Sequence, residues 1–205
     1  APLLDVNRIL VKEGIKRMQT PKRIGFQALK EASSVKGEVT SYDLGFKFGP
    51  RINASGRMST ADNAVKLFIS NDLEDAREIA KGLNKQNTNR QGTEAGIIKE
   101  AVSQLESNPE IIGSNCIVLA SRNWHPGIIG IVASRIVERY EKPTMLIAIG
   151  EDGVGKGSGR SVDGVNIYAA LSECRDMFLQ FGGHELAAGL SIREENIEKF
   201  RVMFD

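Results

Sequence analysis

Residues 116–150, CIVLASRNWHPGIIGIVASRIVERYEKPTMLIAIG, decide the fold. CIVLA at 116–120 is an apolar run of strand length. IIGIVASRIVERY at 128–140 spaces its apolar residues at a helical period, and TMLIAIG at 144–150 is a second buried run. Strand, helix and strand in that order make a β-α-β unit, so this part of the chain is α/β. Further on, VGKGSGRS at 154–161 reads as a Gly-rich strand end, 165–181 as one or two short helices, 190–193 as a strand and 195–204 as a closing helix. The expected architecture is a mixed central sheet flanked by helices.

Working back toward the N-terminus, the character changes to all-α. Ile9, Leu10, Ile15 and Met18 form one amphipathic run, and Phe26, Leu29 and Ala32 a second, with Pro21 suited to the first turn of the second helix. Residues 60–69 continue the helical pattern. A further helix is expected from Asn71, where Asn71 and Glu74 make an N-cap and N3 pair ahead of Ala76, Ile79, Ala80 and Leu83. NKQNTNRQG at 84–92 has no apolar residue, and Ile97, Ile98, Ala101, Val102 and Leu105 then resume helical spacing. The polar stretch suits a solvent-bridging helix or a linker loop equally, and it marks a boundary near 84–110.

Composition narrows the class of protein. Of 205 residues, 41% are hydrophobic and 26% charged, ordinary values for a soluble globular chain, and no apolar run approaches the ~20 residues of a membrane helix. The N-terminus lacks the pattern of a secretory signal, and it also lacks an initiator Met, as expected of a chain cut from a longer protein or of one whose start was processed or carries an expression scar. Cys116 and Cys174 stand far apart in apolar contexts and read as buried thiols of a reducing compartment, with cytoplasm the expected location. Charge is uneven: residues 1–60 hold 11 Lys and Arg against 5 Asp and Glu, while the rest hold 16 against 21. A basic first segment fits a polyanionic partner or a solvated helix face.

Several segments carry candidate chemistry. In GGHELAAGLSI at 182–192, Gly182 and Gly183 let a ligand approach the backbone, and the residues after them read as a helical turn whose unpaired N–H groups, with His184, suit a phosphate. A tight turn with a core histidine is the alternative. NWHPG at 123–127 ends where a helix begins, so His125 and the amides of Ile128 and Ile129 are expected to face an anion together, or Trp124 packs and His125 merely caps. Ser158 and Arg160, two apart in GSGRS at 157–161 with Ser161 beside them, point to one face of an extended strand and present a hydroxyl and a guanidinium fork to one oxyanion. GPRINASGRM at 49–58 is turn-rich and sets Arg51, Asn53 and Arg57 around two glycines, suited to a sugar–phosphate backbone or to closing a helix end. With two histidines, no CxxC and scattered carboxylates, the chain is not expected to hold a metal by itself. Neither a GxSxG elbow nor a Walker loop is present.

Four blocks, GPRINASGRM (49–58), WHPGIIGIVASRI (124–136), GKGSGRS (155–161) and GGHELAAGL (182–190), together resemble, in order, the RecJ-type single-strand-specific DNA exonucleases of the DHH phosphoesterase superfamily. PLLDVNRILV at 2–11 is similar to the segment that follows that family's core catalytic motifs. The resemblance implies a 5′ to 3′ exonuclease in which two divalent ions, Mn²⁺ or Mg²⁺, activate water against single-stranded DNA. The Asp-rich and Asp-His-His motifs that hold those ions are absent here and are expected upstream, so the fragment alone is expected to be inactive.

The same resemblance divides the chain into the end of the catalytic DHH domain (1–70), a connector helix (71–110) and the DHH-associated substrate-binding domain (111–205). It implies that Ser158 and Arg160 hold a terminal 5′-phosphate and that His184, beside Gly182 and Gly183, contacts the phosphate near the metals and stabilises developing charge. Arg51, Asn53 and Arg57 are implied on the DNA backbone or bracing a cleft, while the role of His125 stays open. The implied partners are 5′-phosphorylated single-stranded DNA and the missing N-terminal half of the same protein. A non-catalytic nucleic-acid-binding module and a small-nucleotide or nanoRNA phosphodiesterase of the same superfamily are the alternatives.

Overall fold

The computed structural model describes residues 3–20, 23–58 and 60–205. The chain forms two compact units, 1–91 and 92–205, each with its own apolar core.

Helices build the first unit. The two opening amphipathic runs form α1 (Asp5–Met18) and α2 (Ile24–Ala32), while Pro21 lies outside the described residues. A single turn, α3 (Ser41–Asp43), leads into a π-helical turn at Leu44–Phe48 and then α4 (Gly49–Met58). GPRINASGRM is therefore a helix rather than the turn-rich segment its glycines and proline suggest. The wide π turn comes just before Pro50, which has no N–H to continue an ordinary helical ladder, and Ala54 and Ser55 bury one side of α4. α5 (Asp62–Ile69) and the start of α6 (Leu73–Ser107) complete the unit. Phe26, Leu29, Phe48, Leu67 and Leu83 fill its core, with Phe26 and Phe48 edge to face at 5.3 Å. α1 buries none of its residues, and Leu3, Leu4, Val6, Ile9 and Leu10 are all at least half exposed.

The turn before α4 is held by charge. Thr40 and Asp43 form a capping box, in which the Thr40 backbone N–H and hydroxyl both donate to Asp43 at 2.9 and 2.7 Å. Lys47 Nζ lies 2.8 Å from the other carboxylate oxygen. Hydrogen bonds from Lys47 first, and then from Thr40, hold the Asp43 carboxyl down at about 2. A carboxyl depressed in the folded state stabilises the fold above its unfolded value near 4, and that contribution disappears as pH falls through about 2. The thermal midpoint is accordingly expected to fall more steeply between pH 4 and 2 in the parent than in Asp43→Asn. Parallel slopes in the two proteins would reject this.

α6 is one continuous helix of 35 residues, about 52 Å long at ~1.5 Å per residue, so the polar stretch 84–92 is helix and not loop. Its start falls one residue later than expected: Asp72, not Asn71, accepts the N–H of Asp75 at 2.8 Å. The apolar periodicity fades because Asn87 takes a buried position on the stripe begun by Ala76, Ala80 and Leu83.

The second unit contains the β-α-β unit as read. α7 (Pro109–Gly113) precedes β1 (Ile117–Ser121), α8 (Ile129–Tyr140) crosses over, and β2 (Thr144–Ile149) lies parallel to β1. β3 (Val154–Arg160), α9 (Ile167–Glu173), β4 (Phe178–His184), β5 (Ala187–Arg193) and α10 (Ile197–Phe204) follow. The sheet order is β1-β2-β3-β5-β4, and every pair except β1 with β2 is antiparallel. One face packs Met145, Ile147, Leu190 and Ile192 on Ile167, Leu171, Ile197 and Phe200. The other receives α8, which buries Ile129, Val132, Ala133 and Ile136.

Two expectations are overturned in this unit. Residues 165–181 hold one short helix and a 3₁₀ turn, and Phe178 already opens a strand. GGHELAAGLSI contains no helical turn: β4 and β5 form a hairpin closed by Glu185 and Leu186, and the strand read at 190–193 starts at Ala187. The glycines hide the strand because they remove the alternation by which a strand is read.

Candidate functional site

Register alone assembles the site. On β3, the residues of even number point toward α8, while Gly155, Gly157 and Gly159 turn inward beneath Ile147, Met145, Leu190, Ile192 and Ile167. Pairing across β5 to β4 sets three rows on the outward face: Lys156, Ser191 and Gln180; Ser158, Gly189 and Gly182; Arg160, Ala187 and His184. The middle row ends in two glycines. A Cβ built on Gly182 would meet nothing within 4 Å, and one on Gly189 only a backbone oxygen at 3.6 Å, so the row is an open floor. Lys156 and Gln180 rim it on one side, Arg160 and His184 on the other. Strands ~4.8 Å apart put Arg160 and His184 about 10 Å from each other across Ala187. No carboxylate occupies any of the nine positions.

Arg160 folds back along its own strand. Its Nη1 donates to the Gly159 carbonyl at 2.7 Å and to the Ser158 hydroxyl at 3.3 Å, so the two side chains form a single polar cluster. The first turn of α8 lies against that cluster. A Cβ on Gly130 would fall 2.8 Å from Ser158 Oγ and 3.1 Å from Arg160 Nη2, so a side chain here would push one or both groups aside.

His184 is exposed, and its Nδ1 accepts the N–H of Leu186 at 3.3 Å, leaving Nε2 to carry the proton of the neutral ring. The turn beside it is pinned, with the carbonyls of Glu185 and Leu186 accepting from the N–H groups of Ile167 and Ser161. Gly183 makes that hairpin possible: its φ is 155°, and a Cβ there would lie 2.4 Å from the Ala187 oxygen and 2.5 Å from Ala188 Cα.

The remaining expected residues divide. His125 has the same geometry as His184, its Nδ1 accepting from Gly127 N–H at 3.1 Å, and Trp124 beside it is buried. The amides of Ile128 and Ile129 are not aimed at an anion, because both donate to the His125 carbonyl at 2.9 and 3.2 Å. Ser161 spends its hydroxyl on the Val165 carbonyl at 2.7 Å. In the first unit, Arg51 donates to Asn84 Oδ1 at 2.9 Å and to the Lys47 carbonyl at 2.8 Å, and partial burial lowers its pKa. Asn53 and Arg57, four apart on α4, are exposed. Among the described residues no three His, Cys, Asp or Glu side chains come together to hold a metal ion. Lys156 and Gln180 were missed by sequence reasoning. Lys156 was accessible to it, since it continues the two-residue spacing of Ser158 and Arg160.

Residues 113–205 match the DHHA1 domain model, a stretch that holds all five strands of the sheet. Similarity continues through the rest of the chain. It is 38% identical over 202 residues to the single-stranded-DNA-specific exonuclease RecJ of Bacillus subtilis, covering 98% of this chain and 25% of that protein. Against the Haemophilus influenzae protein of the same name it is 39% identical over 212 residues, covering 100% and 37%. The crystal structure of RecJ from Thermus thermophilus in complex with Mg²⁺ superposes with a TM-score of 0.88 at 34% identity, covering 100% of this chain and 31% of that one. The chain is thus similar to RecJ proteins along its whole length and spans between 25% and 37% of the length of these relatives.

Proposed function

We propose that the chain is the strand-gripping part of a single-stranded-DNA-specific exonuclease acting 5′ to 3′. The observation that carries this reading is the glycine-floored face of the sheet, whose nine strand positions hold no carboxylate, with Ser158 and Arg160 clustered at one end and His184 and Lys156 at its rims. A phosphodiester needs close backbone approach, a guanidinium fork and neutral donors, and all three are supplied by one rigid hairpin and its neighbouring strand. Ser158 and Arg160 would hold the terminal 5′-phosphate. The Nε2–H of His184 would donate to a phosphate oxygen one row away. Arg57 and Asn53 would add backbone contacts from the first unit, whereas Arg51 would brace α4 against α6.

Mg²⁺ and Mn²⁺ are bound in the solved RecJ structures. Among the described residues no three His, Cys, Asp or Glu side chains come together, and cleavage would depend on metal ligands supplied by the part of the relatives that this chain does not span. Residues 1–70 would be the end of the domain that supplies them, 71–110 the connector and 111–205 the substrate-binding domain. The uncovered apolar residues here support that assignment, since Leu3 and Leu4 just before α1 and Val6, Ile9 and Leu10 on it stand in water as they would without a packing partner.

The test is direct. The chain is expected to bind a 5′-phosphorylated oligothymidylate more tightly than its 5′-hydroxyl counterpart, with affinity falling as salt rises, and to leave both intact when Mn²⁺ is added. Reproducible Mn²⁺-dependent degradation would overturn the division of labour. Equal affinity for the two ends would favour a plain nucleic-acid-binding module instead.

A further inference from the structure

Tyr42 and Phe46 take no part in the sheet site. They are four residues apart on the turn formed by α3 and the π-helical Leu44–Phe48, and their rings stack at 4.7 Å with planes 24° apart. Both are left to solvent, Tyr42 at 60% and Phe46 at 69% exposure. Large aromatic rings normally bury most of their area, and a stacked pair held open has a flat π surface with nothing on it.

The support beneath the pair is stiff. Asp43, between them in sequence, is buried and takes three hydrogen bonds from Thr40 and Lys47, while Phe48 is locked in the core against Phe26. The flank is bare: Gly45, next to Phe46, is exposed, and a Cβ built on it would meet no atom within 4 Å. A π-helical turn displaces side chains from the ordinary helical ladder, and such turns recur at functional positions. The surrounding segment is basic, with 11 Lys and Arg against 5 acidic residues in the first 60.

We propose that Tyr42 and Phe46 form a stacking platform for a nucleobase of the bound single strand. This rests on the reading of the chain as a single-strand binder, and it deepens that reading by adding a contact to a base where the sheet site grips only phosphate. An open aromatic surface accepts any base, because every base has a π face, whereas cations nearby act on the backbone. The platform therefore contributes affinity without sequence preference.

Abasic phosphodiester strands separate the two contributions, since they keep the phosphates and lack the bases. The unsubstituted chain is expected to bind 5′-phosphorylated oligothymidylate about tenfold more tightly than an abasic strand of equal length. Tyr42→Ala/Phe46→Ala is expected to abolish that ratio with abasic binding unchanged, and Phe46→Trp to keep it. Irradiated 5-iodo-deoxyuridine strands give a readout that needs no variant, with adducts expected on Tyr42 or Phe46. A ratio unaltered by the double substitution, or adducts confined to other residues, would overturn the platform. If the unsubstituted chain binds neither strand, the single-strand reading itself fails and takes the platform with it.

Discussion

Arg160→Ala is expected to weaken binding of a 5′-phosphorylated single strand by about 10- to 100-fold, a loss of ~1.5–3 kcal/mol for a charge-assisted, forked hydrogen bond. Binding of the 5′-hydroxyl strand is expected to change by no more than about threefold, the size of one diffuse charge contact. The difference between ends is the informative quantity, because Arg160 also donates to Gly159 and Ser158 and its removal relaxes the end of β3. Arg160→Lys sharpens the test. It keeps the charge but loses the planar fork, so it should recover general affinity and little of the preference for phosphate. A parallel loss on both strands would show that Arg160 is a structural arginine and would move the 5′-phosphate elsewhere.

Gly183→Val should be the most damaging single substitution in the hairpin, costing ~3 kcal/mol or more in stability. The backbone at Gly183 sits at a φ of 155°, and a Cβ there would be driven to 2.4 Å from the Ala187 oxygen. That oxygen and Ala188 Cα, 2.5 Å away, are backbone atoms of the paired strand, so no side chain can swing aside to make room. The expected result is a lower melting temperature with strand binding lost at the same time, since His184 follows immediately. Gly182→Ala is the control: its Cβ meets nothing, so stability should hold while the floor rises by one methyl and phosphate binding declines. If Gly183→Val melts like the parent, the hairpin geometry is wrong.

The strands and helix of residues 116–150 were legible because each is long, apolar and uniform in period, and their packing follows from that pattern. The hairpin was not. In FLQFGGH the glycines replace the alternating side chains that announce a strand, and pairing with β5 is a contact that no local pattern encodes. Ser158 and Arg160 were correctly placed on one face because two-residue spacing is a local property of an extended chain. Their approach to Gly130 was out of reach, since it depends on where α8 crosses the sheet. In the first unit, three arginine and asparagine positions looked alike in sequence, and only the fold separates Arg51, bound to Asn84 and the Lys47 carbonyl, from Asn53 and Arg57 on the outside of the same helix.

The length of α6 has a consequence for how this protein should be divided. The recurring sequence module starts at residue 113, whereas the compact unit around the sheet starts at residue 92. Between them lie Ile97, Ala101 and Leu105, which are 3%, 0% and 0% exposed, and Gln104, whose side chain reaches the Ala120 carbonyl at the end of the first strand. The segment that matches the domain family is thus shorter than the compact unit, and a cut at 113 would strip a wall from the sheet it was meant to isolate.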